Sequence, residues 1–358
     1  MNKERNIYFD VLRGFFIFLA LWQHYAYFLN VYFIDYFRES ELIGFLYKNF
    51  EGQVGLTQNY LPSDNITVTL SDVFTPFVSQ IFLTLACFNL ARPLEEFKKV
   101  FSKKIKSFVS IFLFFYLENI IVSTSAGDAL SLNPINTWMM VLAFISCLYY
   151  LFDYKFLFFA IPISFLLVGD YNFGIEDLIK SAFHPDFRID ASPHYFFPSS
   201  LVGFALGLIN TNGKNKKIFK ILLPLFGFMF IVGRVYSPQY ATAMFDILLN
   251  EHLKALTVSG TLEILGIQGF LVCLAMILPK VRFLNFFEYV GKESLFIFAI
   301  HRIFFLKIWI PLYIHIILLM GFPLKNNIPL VWGSIFLNIF FCMALKKSRI
   351  IQTILGDK

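Results

Sequence analysis

The sequence predicts an all-α fold, a polytopic bundle of membrane-spanning helices, on three observations. Hydrophobic residues make up 58% of the 358 positions and charged residues only 15%, with a mean hydropathy of +0.66. A soluble chain needs roughly a quarter of its residues charged to cover its surface. Second, the apolar residues fall in runs of about 15–25, separated by short polar stretches, which is the length that a bilayer's hydrocarbon core demands. Third, the basic residues collect in alternate loops, as membrane topology requires.

About ten runs are long or apolar enough to read as spans. The first, Val11–Tyr32, follows a short basic region and superficially resembles a signal peptide. It lacks a small-residue cleavage site and is long enough to cross, so a retained first helix is expected. Next come Val73–Leu90, Phe108–Val122, Ile135–Phe152 and the short Phe156–Val168. Tyr195–Ile209, Ile218–Val235 and Ala255–Leu278 follow, then Leu295–Met320 and Ile328–Leu345. Leu295–Met320 exceeds the length a perpendicular span needs, which predicts strong tilt or a break near Pro311. No repeat, low-complexity segment or linker interrupts the series, so residues 1–358 read as a single domain.

Loop charge sets the orientation. With Lys3 and Arg5 inside, the inner segments carry Lys98, Lys99, Lys103, Lys104 and Lys106, then Lys155, then Lys214, Lys216, Lys217 and Lys220. Lys280, Arg282 and Lys292 come next, and Lys346, Lys347 and Arg349 last, whereas the outer loops hold far fewer cations. Both termini are expected to be cytoplasmic. The net charge of +6 is thus a topology signal, and no nucleic-acid partner is expected. Cys87, Cys147, Cys273 and Cys342 all fall inside apolar runs without metal-ligand spacing, so they read as small buried hydrophobes and no metal site is expected. Two long outer loops, about Phe33–Asp72 and Gly169–His194, either shape a binding surface or cap the bundle.

A charged group in hydrocarbon costs several kcal/mol even on mild scales, about 2.5–3.5 at a helix centre, so each one needs a reason. Asp10 and Arg13 are one turn apart and can pair on one face of the first helix. Arg13 and His24 are eleven positions apart, three turns plus roughly 20°, so both project from one side about 16 Å apart along the axis. Either Asp10 and Arg13 anchor the helix at the interface while His24 hydrogen-bonds locally, or the three line a functional cavity. The ninth span places His301 and Arg302 deep in an apolar helix, while Glu118 and Glu263 lie in the third and eighth, with Asn89, Asn119 and Gln268 near in sequence. Ionisable groups on several helices fit a shared polar cavity; structural pairing, such as Glu118 with Arg302, stays open.

The segment Phe9-Asp10-Val11-Leu12-Arg13-Gly14 followed by His24 resembles the first helix of the membrane acyltransferase-3 family, whose signature is an Arg, ten intervening residues and a His. The related heparan-α-glucosaminide N-acetyltransferase-like proteins begin similarly, with Asp-x-x-Arg-Gly. Ser71-Asp72-Val73-Phe74-Thr75-Pro76-Phe77 is similar to the Asp-x-x-x-Pro-Phe opening of their second helix. Gly291-Lys292-Glu293-Ser294-Leu295 through Phe298 and His301 resembles the Gly-x-x-Ser-x-x-x-Tyr-x-x-His helix of both groups. Lys103 and Lys106 stand where Arg-x-x-Arg is usual, keeping charge but losing bidentate phosphate geometry. Ala86-Cys87-Phe88-Asn89 replaces a Gly-rich end of the second helix.

The resemblance implies an enzyme: a membrane-embedded acyltransferase that moves an acyl group, expected to be acetyl, from acyl-CoA to a hydroxyl or amine of a cell-envelope carbohydrate or glycolipid. His24 would be the base or the acyl carrier, and Asp10 would position Arg13. Arg13, Lys103 and Lys106 would hold the phosphates of the donor, and His301 would orient the acceptor or contact the acyl group. Acyl-CoA is then a donor substrate, and no tightly bound cofactor is expected. The expected setting is the lipid bilayer of a cell membrane, a bacterial inner membrane, crossed many times. A proton-coupled transporter or exporter of an envelope glycan is the competing reading; no internal similarity between halves, of the kind transporters often show, is visible.

Overall fold

The structure, a computed structural model, describes residues 6–21, 78–122, 129, 131–166, 193–211, 216–237, 257–279, 285–309, 312 and 328–347, which are almost wholly helical and contain no β-strand. Four helical stretches among them are long and apolar enough to cross a membrane: Leu94–Val122, Pro134–Leu166, Lys216–Tyr236 and Val258–Ile277. The all-α membrane fold expected from composition is therefore present. His24, the Phe33–Asp72 loop, residues 169–192 of the second outer loop and the Ser71–Phe77 motif lie outside the described residues.

The chain divides into two compact units. The first comprises Met1–Phe9, Phe74–Ala241 and Asp246–Phe283; the second comprises Asp10–Val73, Thr242–Phe245 and Leu284–Lys358. Helix α1 covers residues 7–21.

In the first unit, Asn6 starts α1: its Oδ1 accepts from the Tyr8 amide at 3.0 Å, while its Nδ2 donates to the Ala275 carbonyl at 3.2 Å. Helices α2 (Val78–Leu90) and α3 (Leu94–Val122) are joined at Ala91-Arg92-Pro93. Helix α4 (Pro134–Phe152) opens with Pro at its first position and Asn133 as cap, whose Oδ1 accepts from the amides of Ile135 and Asn136 at 2.9 and 3.1 Å. Asn136 reaches across to the Phe112 carbonyl at 2.7 Å, so an amide side chain ties α4 to α3 where lipid tails offer no partner.

The sequence separated Ile135–Phe152 from Phe156–Val168, and the structure supplies the reason. Asp153 closes α4 with φ 54° and ψ −159°, and a short 3-10 turn at Asp153–Lys155 leads into α5 (Phe156–Leu166). That backbone region is essentially reserved for glycine and costs about 1–3 kcal/mol for other residues. Asp153→Gly should relieve it and raise stability by about 1 kcal/mol net of glycine's greater unfolded entropy. The check is the thermal midpoint of purified protein; an unchanged or lowered value would contradict the strain.

Helix α6 (Phe197–Thr211) packs on α2 because Gly203 and Gly207, one turn apart, carry no side chain. A Cβ at either would strike backbone atoms, of Thr84 and Phe88 respectively. Helices α7 (Lys216–Tyr236) and α8 (Val258–Ile277) meet by the same device. Gly233 lies against the backbone of Glu263, Gly266 against that of Phe230, and Gly269 against the Phe226 ring. In lipid, where tails are as apolar as leucine, such close approach supplies the van der Waals contact that the hydrophobic effect supplies in water. The Tyr149 ring centres this unit, 4.9 Å from both Phe97 and Phe204, and its hydroxyl donates to the Arg92 carbonyl at 2.7 Å. The outward faces of α3 and α7, with Leu113, Leu117, Ile121, Ile221, Phe228 and Ile231, are exposed and apolar, as lipid contact requires.

The second unit contains the remainder of α1, the short α9 (Asn285–Lys292), α10 (Ser294–Ile303) and α11 (Ile328–Lys347). Phe18 sets its ring 6.3 Å from Phe287 and 5.6 Å from Phe336, and Phe304 lies 4.8 Å from Phe341. Pro311, where tilt or a break is expected, lies outside the described residues; before it, α10 gives way to π-helical turns at Phe304–Trp309.

Candidate functional site

Asp10 and Arg13 form the pair their spacing predicts. Arg13 Nη1 lies 3.1 Å from Asp10 Oδ1, with Asp10 1% exposed and Arg13 20% exposed. A buried carboxylate needs such a partner, since removing either member would strand a charge in a poorly solvating environment.

What the sequence did not reveal is why glycines stand at 14 and 291. A Cβ at Gly14 would collide with the Phe287 carbonyl, and one at Gly291 with the Asp10 carbonyl and the Gly14 amide. The two glycines mark one crossing of α1 over α9, each giving space to the other helix's backbone. The residue pattern that carries Asp10 and Arg13 is thereby held against the segment that leads to Ser294 and His301.

Ser294 and His301 are both buried, with the His301 ring fully enclosed. His301 Nδ1 lies against the Phe298 carbonyl one turn earlier, and the two rings are 4.5 Å apart. A carbonyl only accepts, so Nδ1 is the donor in this contact. Two further ties brace this unit: Lys346 grips both Glu293 oxygens at 2.7 and 2.6 Å, and Trp309 donates to Ser334 at 2.5 Å.

Lys103 and Lys106 belong to the first unit and Arg13 to the second. Both lysines are exposed on α3. Glu263, whose partner was open, pairs with Arg234: Nη1 and Oε1 are 3.2 Å apart, and Glu263 is 1% exposed. Asn119, next to Glu118 and buried like it, donates to the Ser131 carbonyl at 3.1 Å. Asn89 is exposed.

A second polar group in the first unit was not foreseen beyond Gln268. Thr84 Oγ1 lies 2.6 Å from Gln268 Oε1, and Ser199 donates to Gln80 Oε1 at 2.5 Å. All four residues are buried, linking α2, α6 and α8 through side chains. The signal was available in the four-residue spacing of Gln80 and Thr84, which puts both on one face of α2.

No protein-family model, curated protein or solved structure matches the chain.

Proposed function

We propose that the chain is a membrane-embedded acyltransferase, moving an acyl group from acyl-CoA to a hydroxyl or amine of a cell-envelope carbohydrate or glycolipid. The observation that carries this reading is the Gly14–Gly291 crossing. It packs the segment that carries the Asp10–Arg13 pair against α9, the helix that immediately precedes Ser294 and His301, and both segments carry residues that resemble the acyltransferase signature.

In the proposed reaction, the acceptor oxygen or nitrogen attacks the thioester carbonyl. A C–O or C–N bond forms, the C–S bond breaks, and the acceptor's proton passes through His24 to the departing coenzyme A thiolate. Alternatively the acyl group rests briefly on His24. Asp10 fixes Arg13, which faces the donor's phosphates. His301 orients the acceptor group. The proposed topology has about ten spans and cytoplasmic termini, with acyl-CoA entering from the cytoplasm of a bacterial inner membrane and the acceptor from the opposite side.

The second reading is a proton-coupled transporter of an envelope glycan. It is favoured by the Arg234–Glu263 pair and the Gln80–Thr84–Ser199–Gln268 group, which lie in the other unit.

Purified protein supplied with radiolabelled acetyl-CoA and a panel of acceptors separates the two. Transfer is expected with wild type, falling by about 10²–10⁴-fold in His24→Ala and about 10²-fold in Arg13→Ala. Neither donor binding nor turnover in wild type would favour transport. Full activity in His24→Ala would remove that residue from the chemistry.

A further inference from the structure

Helix α3 is 29 residues long, about 43 Å at 1.5 Å per residue, against a hydrocarbon core of about 30 Å. Its first turns therefore extend past the apolar stretch that starts near Phe108. Along its outward face the exposed residues run Lys99, Lys103 and Lys106, then Val109, Leu113, Leu117 and Ile120. At about 100° per residue, Lys99, Lys106 and Leu117 lie within roughly 20° of one another, and Lys103 and Leu113 flank them by about 40°. One continuous stripe thus changes from ammonium groups to exposed hydrocarbon.

The apolar half of that stripe has no protein cover among the described residues, and in a bilayer it meets acyl chains. Lys106 and Lys103 then stand about 5 and 9 Å beyond Val109 along the axis, within or at the edge of a headgroup layer about 5–8 Å thick. Lys99 lies a further turn out. No carboxylate pairs with Lys99, Lys103 or Lys106 among the described residues, and residues 99–107 contain no Asp or Glu.

We propose that the Lys99–Lys103–Lys106 edge of α3 is a binding site for the phosphodiester headgroups of anionic phospholipids, whose acyl chains lie along Val109, Leu113, Leu117 and Ile120. Phosphate is the chemistry that acyl-CoA would share, but the outward direction of these lysines, continuous with the lipid-facing stripe, favours the lipid. The site holds whether or not the chain transfers acyl groups.

The full-length protein in detergent is titrated with mixed micelles containing phosphatidylglycerol or phosphatidylcholine, and lipid retained through gel filtration is counted by native mass spectrometry. Wild type is expected to retain phosphatidylglycerol at least about tenfold over phosphatidylcholine. The preference should collapse in Lys99→Gln/Lys103→Gln/Lys106→Gln, and survive in the triple Arg variant, which keeps the charge. Coenzyme A added in excess should not displace the lipid. An unchanged preference in the Gln variant would overturn the proposal. So would displacement by coenzyme A with loss of coenzyme A binding in that variant, which would assign the lysines to a donor site. The triple Arg variant controls for folding, and single Lys106→Glu offers a second reading of the same charge.

Discussion

Gly291→Val is expected to leave little or no correctly folded protein. The new Cβ would fall on the Asp10 carbonyl and the Gly14 amide, which are backbone atoms of another helix and have no rotamer to escape into. The helices would have to separate at their crossing, at a cost of at least about 3 kcal/mol. Loss of the monodisperse peak on gel filtration and a lower thermal midpoint would register it. Gly14→Val should behave the same way, because its Cβ meets the Phe287 carbonyl. The exposed Leu117→Val on α3 should be close to neutral. If Gly291→Val folds normally, the close crossing is wrong, and with it the joining of the two motif segments.

Arg234→Ala should be the second severe change. It leaves the Glu263 carboxyl, 1% exposed, without its 3.2 Å partner between two tightly packed helices. Breaking one side of a buried pair costs about 3–5 kcal/mol, and the partial exposure of Arg234 places the expected loss near the lower end, about 3 kcal/mol. The double variant Arg234→Ala/Glu263→Gln should recover much of that stability, because an amide buries without a charge. A double variant no better than the single one would show that Arg234 contributes packing rather than neutralisation. Thermal unfolding in one detergent across the four proteins of the cycle measures the coupling directly.

Composition and run length were enough for an all-helical membrane chain, since both respond to the thickness and dryness of the bilayer rather than to any particular contact. The Asp10–Arg13 pair was legible for a similar reason: a three-residue spacing on a helix fixes the neighbours. The partner of Glu263 was not legible, because Arg234 lies on another helix, 29 positions away. Nor was the purpose of Gly14 and Gly291, which in sequence look like two unrelated glycines hundreds of positions apart. A missing side chain leaves no periodicity to read; it acquires meaning only when another backbone occupies the space. The break between α4 and α5 was visible as a polar interruption at Asp153, but its strained φ was not, because Asp carries no signature for that backbone region.

The glycine seam between α7 and α8 bears on how heat acts on this protein. When soluble helices part, apolar surface meets water and the heat capacity rises, which bends the stability curve into a dome. Here Gly233, Gly266 and Gly269 hold the helices by contact between surfaces that would, on parting within a bilayer, meet lipid tails instead. That separation hydrates almost nothing. Its free energy should therefore fall nearly linearly with temperature, with no cold-side loss of adhesion, so chilling would tighten this pair where it loosens many water-driven interfaces.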